Sequence, residues 1–242
     1  MTESTGEVDV VWGEIDGRVI TFPMTVPDVA VATVMYDVPL AAATALLPGD
    51  AFEIVETAPD TAQMVVAACD YRENPWGDYD EINLGFLARP RGAPADVIGS
   101  FVYRMPVNQA FTCEAGARVM GFPKTVEDIE VSRGKDTVTF TLSTGGDLAF
   151  RLTVPTPQSQ TPPVRIAAAS YSYLDGVPHA TTLEMDMGEP VADPAGVTLE
   201  LGTGVIADEL RSLGLPRTAG FASWGEHLGA VFHLGEPVAP HN

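Results

Sequence analysis

The stretch DTVTFTLSTGGDLAFRLTVP, residues 136–155, decides the class of fold. Apolar and polar residues alternate on both sides of a Gly-Gly pair, which is the pattern of two half-buried strands joined by a tight turn. The stretch VDVVWGEIDGRVITFP, residues 8–23, shows the same pattern around Asp16-Gly17. Both stretches therefore predict β-hairpins in a β-rich protein.

Segments with the character of β-strands follow along most of the chain, and two segments predict helices. Residues 39–50 contain good helix formers and stop at Pro48-Gly49, while residues 206–214 carry acids early, an arginine late and a glycine at the end. The prediction is an α+β fold dominated by β-structure, with a strongly curved or closed antiparallel, barrel-like sheet and a few short helices. The further strands are predicted at 30–37, 63–70, 81–88, 97–105, 127–132, 165–173, 180–187 and 197–201.

No internal repeat, low-complexity tract or long polar linker divides the 242 residues. The most proline-rich stretch, residues 154–165, predicts a crossing loop between two β-rich halves and is too short to separate domains. Barrel-like and sandwich-like β domains of this length are common, so we expect residues 1–242 to form one domain.

Composition and charge limit the partners and the location. The formal charge is −20, from 33 acidic and 13 basic residues, so neither nucleic acid nor an anionic membrane surface is expected as a partner. Residues 1–14 lack the pattern of a signal peptide, and no run approaches the ~18 apolar residues of a membrane span. We therefore expect a cytoplasmic protein, in which Cys69 and Cys113 are reduced core residues.

Two further patterns are weak indications of function. The GTG at residues 202–204 lacks the third glycine and the preceding strand of a dinucleotide fingerprint, so a turn before a helix explains it better. His227 and His233 have no cluster of further ligands near them in sequence, and their apolar spacing predicts a core strand or a short helix. No metal site is expected.

Lysine is scarce in this chain, which contains eleven arginines but only Lys124 and Lys135. Lys124 follows an apolar run at 119–123, and an ammonium group is costly to bury unless it is paired or deprotonated. Held against Phe122 and Met120, the amine is expected to lose its proton more readily than a free lysine. The alternative is an ordinary surface lysine at the end of a strand.

A neutral lysine amine attacks a ketone or an aldehyde to form an imine. The protonated imine is an electron sink for a neighbouring carbanion, so Lys124 suits decarboxylation of a β-keto acid, aldol chemistry or dehydration.

A second segment with candidate catalytic residues is DYRENPWGDYDEINLGF, residues 70–86. Asp78 and Asp80 are expected to be solvated there, whereas Glu81 stands where an apolar strand begins and is suited to acid–base work.

The segment GARVMGFPK, residues 116–124, resembles the Schiff-base lysine segment of the acetoacetate decarboxylase superfamily, whose pattern is approximately G-R-E-x-x-G-[FY]-P-K. Residues 31–48, 78–86 and 224–238 also resemble that family in order and spacing, the last with His227 in register. The activation of the lysine is a property of the family and does not follow from this sequence alone.

The resemblance implies a cofactor-independent carbon–carbon lyase acting on a small oxo acid, in a homo-oligomer. It implies that Lys124 forms the imine and that Glu81 orients the substrate or moves protons. Phe122 and Met120 would form the apolar wall beside the lysine. Further candidates for substrate binding are Tyr79, Arg104 and Arg118.

The sequence departs from the family pattern at three single positions, and the acid that the family usually has in the strand before Glu81 is not evident in residues 62–70. Thr125 stands where a second lysine follows in the decarboxylase, Val29 stands where an arginine precedes Tyr36 by seven residues, and Arg118 stands where the motif has a carboxylate. Loss of the Lys124 proton must then come from desolvation or from another cation, such as Arg104 or Arg118.

Superfamily members with altered pockets are associated with aldol, dehydration or cyclisation reactions on larger oxo acids. These reactions stay open as alternatives to decarboxylation. A non-catalytic, ligand-binding member that kept the fold also stays open, because function depends on the site and not on the fold.

Overall fold

The structure is a computed structural model that describes residues 9–157 and 162–239. Residue 8 of the first hairpin and residues 158–161 of the Pro-rich stretch lie outside the described residues. The described part contains the α-helices α1 (Leu40–Ala45), α2 (Ala110–Met120) and α3 (Val205–Ser212), and one 3₁₀ helix (Pro194–Gly196).

The strands, in chain order, are β1 (Val10–Ile15), β2 (Arg18–Phe22), β3 (Met24–Pro39), β4 (Phe52–Ile54), β5 (Glu56–Ala58), β6 (Thr61–Glu73), β7 (Tyr79–Pro90), β8 (Gly99–Val107), β9 (Lys124–Val126), β10 (Asp128–Arg133), β11 (Thr137–Thr144), β12 (Asp147–Pro155), β13 (Val164–Leu174), β14 (Val177–Met187), β15 (Glu189–Pro190), β16 (Thr198–Leu201), β17 (Phe221–Phe232) and β18 (Glu236–Pro237).

Seven strands form a barrel in the order β17, β3, β6, β7, β8, β13 and β14, and the pairing of β14 with β17 closes the ring. The predicted β-dominated, closed sheet with few helices is therefore confirmed. The sheet is not antiparallel throughout, because β8 and β13 run parallel where Ser100 lies beside Ser170. The long intervening segment carries the chain back to the starting end of the barrel, as a parallel pairing requires.

A second sheet packs against the outside of the barrel. It has the strand order β10, β11, β12 and β16, and its central hairpin is the predicted one at 136–155. The turn residues Gly145 and Gly146 both have positive φ angles, 63° and 90°, which glycine adopts without strain. Aromatic side chains from both sheets share one core, including Phe86, Phe140 and Trp224.

The predicted hairpin at 8–23 is also present, as β1 and β2 joined at Asp16-Gly17. Its inward residues share a second core with α2 and with residues from the inside of the barrel. The hairpin and α2 therefore cover one end of the barrel. Members of this core include Ile15, Ile20, Phe22, Ala115, Val119 and Met105.

The helix predicted at 206–214 is confirmed by α3. The helix predicted at 39–50 is limited to α1, because β3 continues to Pro39 and the chain leaves the helix after Ala45. Helix α2 was not predicted, although Gln109 accepts a hydrogen bond from Thr112 N at its start and Gly121 ends it. No helix among the described residues is long and apolar enough to cross a membrane. A single domain over 1–242 stays a prediction.

Candidate active site

The position of Lys124 follows from the way α2 ends. Gly121 has a φ angle of 67°, which favours glycine. A Cβ atom at this position would also lie 2.5 Å from the Tyr173 carbonyl oxygen, so the available space requires glycine as well. The chain then enters β9, which pairs in parallel with β8 and sets Lys124 beside Met105. Both residues line a cavity inside the barrel.

Gly116 leaves the space that the Lys124 side chain occupies. A Cβ atom at residue 116 would lie 2.5 Å from Lys124 Cε and 2.7 Å from Cδ, both far inside contact distance. Glycine inside a helix destabilises it by about 1 kcal/mol relative to alanine. The glycine in the middle of α2 therefore has a packing reason, which is the path of the lysine.

Lys124 and Glu81 form a buried pair. Nζ of Lys124 lies 2.5 Å from Oε2 of Glu81, and the two side chains are only 4% and 5% exposed. A surface lysine at a strand end is therefore wrong as an interpretation. Removing two charges from water is costly, and transfer of one proton from the ammonium group to the carboxylate makes both groups neutral. The pair is thus arranged for proton exchange between its members.

Glu81 has two further partners. Asn83 Nδ2 donates a hydrogen bond of 3.1 Å to Glu81 Oε1, and the Tyr79 hydroxyl donates to the Glu81 carboxylate. The ring of Tyr79 also lies under the lysine, with its centroid 5.3 Å from Lys124 Nζ. The pair is therefore fixed in position by donors and by an aromatic face.

A line of buried protonated groups continues from Tyr79. Its ring stacks on Tyr71 with a centroid distance of 4.5 Å, and Tyr71 is hydrogen-bonded to Tyr79 and to Cys69. Burial raises the pKa of both phenols well above the ordinary value, and the charge of Glu81 raises it further. Burial likewise raises the pKa of the Cys69 thiol. All three groups keep their protons at neutral pH.

The cavity around the pair encloses about 300 Å³ and is lined mainly by apolar side chains of the barrel. The structure brings together five of the residues proposed from the sequence: Lys124, Glu81, Tyr79, Phe122 and Met120. Phe122 and Met120 are 5% and 2% exposed. They form part of the apolar wall on the lysine side.

Arg104 is not brought to this cavity. Its guanidinium group binds both carboxylate oxygens of Glu209, at 2.5 and 3.1 Å, in a separate surface groove. Simple alternation places Val102 and Arg104 on one face of β8, but the register shifts there by one residue, so that Val102 and Met105 face the cavity. A β-bulge of this kind turns the following side chains to the other face.

Arg118 is also directed away from the cavity. Its side chain is 52% exposed and pairs with Glu114 one helical turn earlier, at 2.7 Å. Among the residues that depart from the family pattern, Thr125 is exposed and Val29 lines the cavity with an apolar side chain. The structure therefore places neither arginine near the amine of Lys124.

Both cysteines are free, with Cys69 buried as predicted and Cys113 only partly buried. Asp80 was expected to be solvated, but it is partly buried. Burial, and then the charge of Asp70, raises the pKa of its carboxyl group to about 6. Asn108 Nδ2 donates a hydrogen bond of 2.8 Å to Asp80. Asp80 is absent from the cavity lining, to which its neighbours Tyr79 and Glu81 belong.

The two histidines of the C-terminal segment serve no common site. His227 lies at a bulge of β17 with a φ angle of 55°, is 74% exposed and contacts Asp28 at 3.2 Å, so the expected core position is wrong for it. His233 contacts Glu184 at 3.2 Å. Within residues 9–157 and 162–239, no group of three or more His, Cys, Asp or Glu side chains is placed to hold a metal ion. The GTG at 202–204 is a turn before α3, as predicted.

Sequence reasoning missed the groups that surround Glu81 on its own side of the sheet. Asn83 stands two residues after Glu81 on β7, and Cys69 and Tyr71 stand opposite Glu81 and Tyr79 on β6. The period of two in a β-strand places all of these on one face. That signal was available once the strand and its partner had been identified.

The site is a closed β-barrel whose cavity holds a buried lysine–carboxylate pair. The family model for acetoacetate decarboxylase matches residues 16–235, so the chain belongs to that family. No curated protein matches the sequence.

Solved structures show the same fold. Acetoacetate decarboxylase from Legionella pneumophila is similar at 16% identity with a TM-score of 0.64, covering 99% of this chain and 98% of that chain. The enduracididine biosynthesis enzyme MppR, complexed with pyruvate, has 17% identity and a TM-score of 0.65, covering 98% and 100%. An acetoacetate decarboxylase-like enzyme from Sphingomonas wittichii RW1 has 12% identity and a TM-score of 0.58, covering 90% and 94%. At these identities the likeness establishes the fold alone.

Proposed function

We propose that the protein is a Schiff-base-forming lyase that acts on an oxo acid, most simply by decarboxylating a β-keto acid through an imine on Lys124. The observation that carries the proposal is the buried contact of 2.5 Å between Lys124 and Glu81 in an apolar cavity. Membership of the acetoacetate decarboxylase family supports lyase chemistry. The chemistry uses side chains of the chain itself and requires no cofactor.

In the first step, Glu81 takes a proton from Lys124, and the neutral amine attacks the carbonyl carbon of the substrate. Water leaves with the carbonyl oxygen, and the product is a protonated imine. Glu81 is placed to give and take these protons because its Oε2 atom contacts the lysine nitrogen directly. Tyr79 and Asn83 hold the carboxylate in place while the protons move.

In the second step, the bond between the carboxylate and the adjacent carbon breaks. Its electron pair passes into the protonated imine, which becomes a neutral enamine, and carbon dioxide leaves. The carboxylate charge disappears in this step, and an apolar site that solvates the charge poorly favours its loss. A proton then returns to carbon, and water hydrolyses the imine to release the ketone.

Turnover of a panel of 3-oxo acids tests the reaction. Carbon dioxide release and the mass of the product are measured for the wild type, Lys124→Ala and Lys135→Ala. The exposed Lys135 is the matched control, since it is the only other lysine in the chain. The proposal predicts a ketone shorter by one carbon, with activity lost only in Lys124→Ala; equal activity in both variants would overturn it.

Aldol condensation or dehydration through the same imine is the second candidate. The observation that favours it is the similarity to MppR, which has been solved with the condensation product of pyruvate and imidazole 4-carboxaldehyde. Incubation with pyruvate and an aldehyde then yields a product heavier than pyruvate, with the carboxylate retained. Retention of every carbon atom would favour this reaction over decarboxylation.

Two hypotheses that do not involve an imine predict results different from those of the lyase. A cyclase or isomerase that uses Lys124 only as a hydrogen-bond donor would keep activity in Lys124→Arg, because arginine donates hydrogen bonds but forms no imine. A ligand-binding member would bind oxo acids without turnover. The family resemblance also supports a cytoplasmic homo-oligomer, which cell fractionation and light scattering on the purified protein test.

A further inference from the structure

We infer that the substrate carries an apolar chain of several carbons on its carbonyl carbon, so that the preferred substrates are medium-chain 3-oxo acids and not acetoacetate. The inference rests on the proposed function, because it takes Lys124 as the group that meets the carbonyl. It adds the chemical class of the remainder of the molecule. The observations that carry it are the length, the lining and the charge of the cavity.

The cavity continues far beyond the lysine. On β7 the lining includes Glu81, Asn83 and Leu87, and Leu87 is six residues after Glu81. At about 3.3 Å per residue this is a distance of roughly 20 Å along the strand. The volume of the cavity is about 300 Å³. Acetoacetate leaves most of this space empty.

The lining beyond the lysine is apolar on several strands. On β3 and β6, which are paired, Met35 lies beside Val65 and Thr33 lies beside Ala67; all four line the cavity, and Thr33 is the one polar residue among them. At the lysine end, Val29 lines the cavity at the level of Tyr71. Transfer of a hydrocarbon chain from water to such a surface is favourable. A second polar group on the substrate would have few hydrogen-bond partners there.

The charges of the lining lead to the same conclusion. Lys124 is the one lysine or arginine among the described residues that line the cavity, and Glu81 already pairs with it. Asp186 also lines the cavity, and Arg165 binds both of its carboxylate oxygens, at 2.8 and 3.0 Å. A carboxylate at the far end of the substrate would therefore meet no free cation. The single carboxylate of a 3-oxo acid is separated from the carbonyl by one carbon atom, so it stays close to the positive charge of the protonated imine.

The cavity reaches the surface beside apolar residues. Ile98 and Ile166 belong to its lining and are 49% and 38% exposed. An alkyl chain that extends from Lys124 toward these residues remains in contact with apolar side chains along its length. The structure thus offers apolar cover for a chain, and the polar side chains near its end are the uncharged Ser100 and Ser170.

A homologous series tests the inference. Each buried methylene group contributes about 0.8 kcal/mol, which corresponds to an increase of about fourfold in kcat/KM. We expect kcat/KM to rise about 15-fold from acetoacetate to 3-oxohexanoate, and again to 3-oxooctanoate, before it levels off when the cavity is full. Equal or higher kcat/KM for acetoacetate would overturn the inference.

A binding measurement separates this inference from the proposed function. Neutral 2-alkanones from acetone to 2-nonanone are titrated calorimetrically against Lys124→Met, which forms no imine. Affinity that rises with chain length in this variant supports the apolar chain even if the wild type releases no carbon dioxide. Affinity independent of chain length contradicts the inference, even if Lys124 proves to be catalytic.

A variant that fills the cavity away from the lysine locates the chain. Val65→Trp should lower the ratio of kcat/KM for 3-oxooctanoate to kcat/KM for acetoacetate by at least tenfold, since the indole occupies space for several methylene groups. Val205→Trp is the matched control, because Val205 is 67% exposed and absent from the cavity lining. An unchanged ratio in Val65→Trp, with the fold intact by circular dichroism, would contradict this placement of the chain.

Discussion

Nζ of Lys124 lies 2.5 Å from Oε2 of Glu81, although the two residues are 43 positions apart in the chain. Glu81 is fixed by the central pairing of β7 with β6, and Lys124 is fixed by the parallel pairing of β9 with β8. The contact therefore depends on both strand registers and on the left-handed turn at Gly121. The proposed chemistry, which needs this contact, therefore depends on the correct fold of these strands.

The first prediction concerns the stability of this pair. Loss of one partner from a buried ion pair costs about 3–5 kcal/mol, because the remaining charge is left without compensation. We expect Lys124→Met to lower the free energy of unfolding by about 3 kcal/mol. Glu81→Gln should lower it less, because the buried lysine can lose its proton.

The double variant Lys124→Met/Glu81→Gln supplies the control. It should be more stable than the sum of the single effects predicts, since it leaves no buried charge. Urea unfolding of all four proteins measures the coupling. Strictly additive effects would show that the two side chains do not interact in solution.

The second prediction concerns Gly116. Helix propensity alone predicts that Gly116→Ala stabilises α2 by about 1 kcal/mol. The methyl group instead collides with Cε and Cδ of Lys124, so we expect lost stability and at least a tenfold fall in kcat/KM.

Gly220→Ala is the matched control for Gly116→Ala, because the nearest atom to an added Cβ there is the Met35 carbonyl oxygen at 3.9 Å. Its kcat/KM should stay within twofold of the wild type. A more stable and fully active Gly116→Ala enzyme would show that the lysine follows another path.

The third prediction concerns pH and Asp80, whose pKa is raised from 3.8 to about 6. The fold favours the neutral acid, so the stability that Asp80 contributes is complete below pH 4 and is lost as the pH rises through about 6. Asp80→Asn should therefore match the wild type below pH 4 and be more stable at pH 7.5.

The expected gain for Asp80→Asn at pH 7.5 is about 1 kcal/mol, less than the full shift implies because Asp80 is partly in contact with water. Thermal or urea unfolding between pH 3.5 and 8 measures the difference. A gain that is constant across this range would point to packing and not to ionisation.

The fourth prediction concerns the arginines that lie outside the cavity. Arg104→Ala and Arg118→Ala remove ion pairs that are partly exposed, so each should change stability by about 1 kcal/mol or less and kcat/KM by less than twofold. Steady-state kinetics with the best 3-oxo acid checks this. A fall of more than tenfold in either variant would place a cation at the substrate.

The fold was predictable from sequence to the extent that local patterns determine it. Alternation around Gly145-Gly146 and around Asp16-Gly17 predicted both hairpins. The parallel contact between β8 and β13 was not predictable, because no local pattern records which way a returning strand runs. Helix α2 was missed because Thr112 and Gly116 are weak helix formers, and its caps carry the remaining signal.

Chemistry and motif together led to Lys124 and Glu81 as site candidates, and the structure brings these two side chains into contact, while their roles stay a prediction. Tyr71, Cys69 and Asn83 needed the pairing of β6 with β7, which sequence alone does not supply. Arg104 was proposed as a substrate-binding candidate, but whether it faces the cavity depends on the register of β8. A β-bulge in β8 turns Arg104 away from the cavity, and bulges depend on tertiary packing that the pattern of residues does not show.

The most direct test of the account is reductive trapping of the imine. The protein is incubated with a 3-oxo acid and borohydride, and the intact mass and the peptide map are measured. The account predicts one stable adduct on Lys124, none on Lys135, and a mass that shows loss of the substrate carboxylate. A protein that turns over the 3-oxo acid but leaves Lys124 unmodified under these conditions would contradict the account.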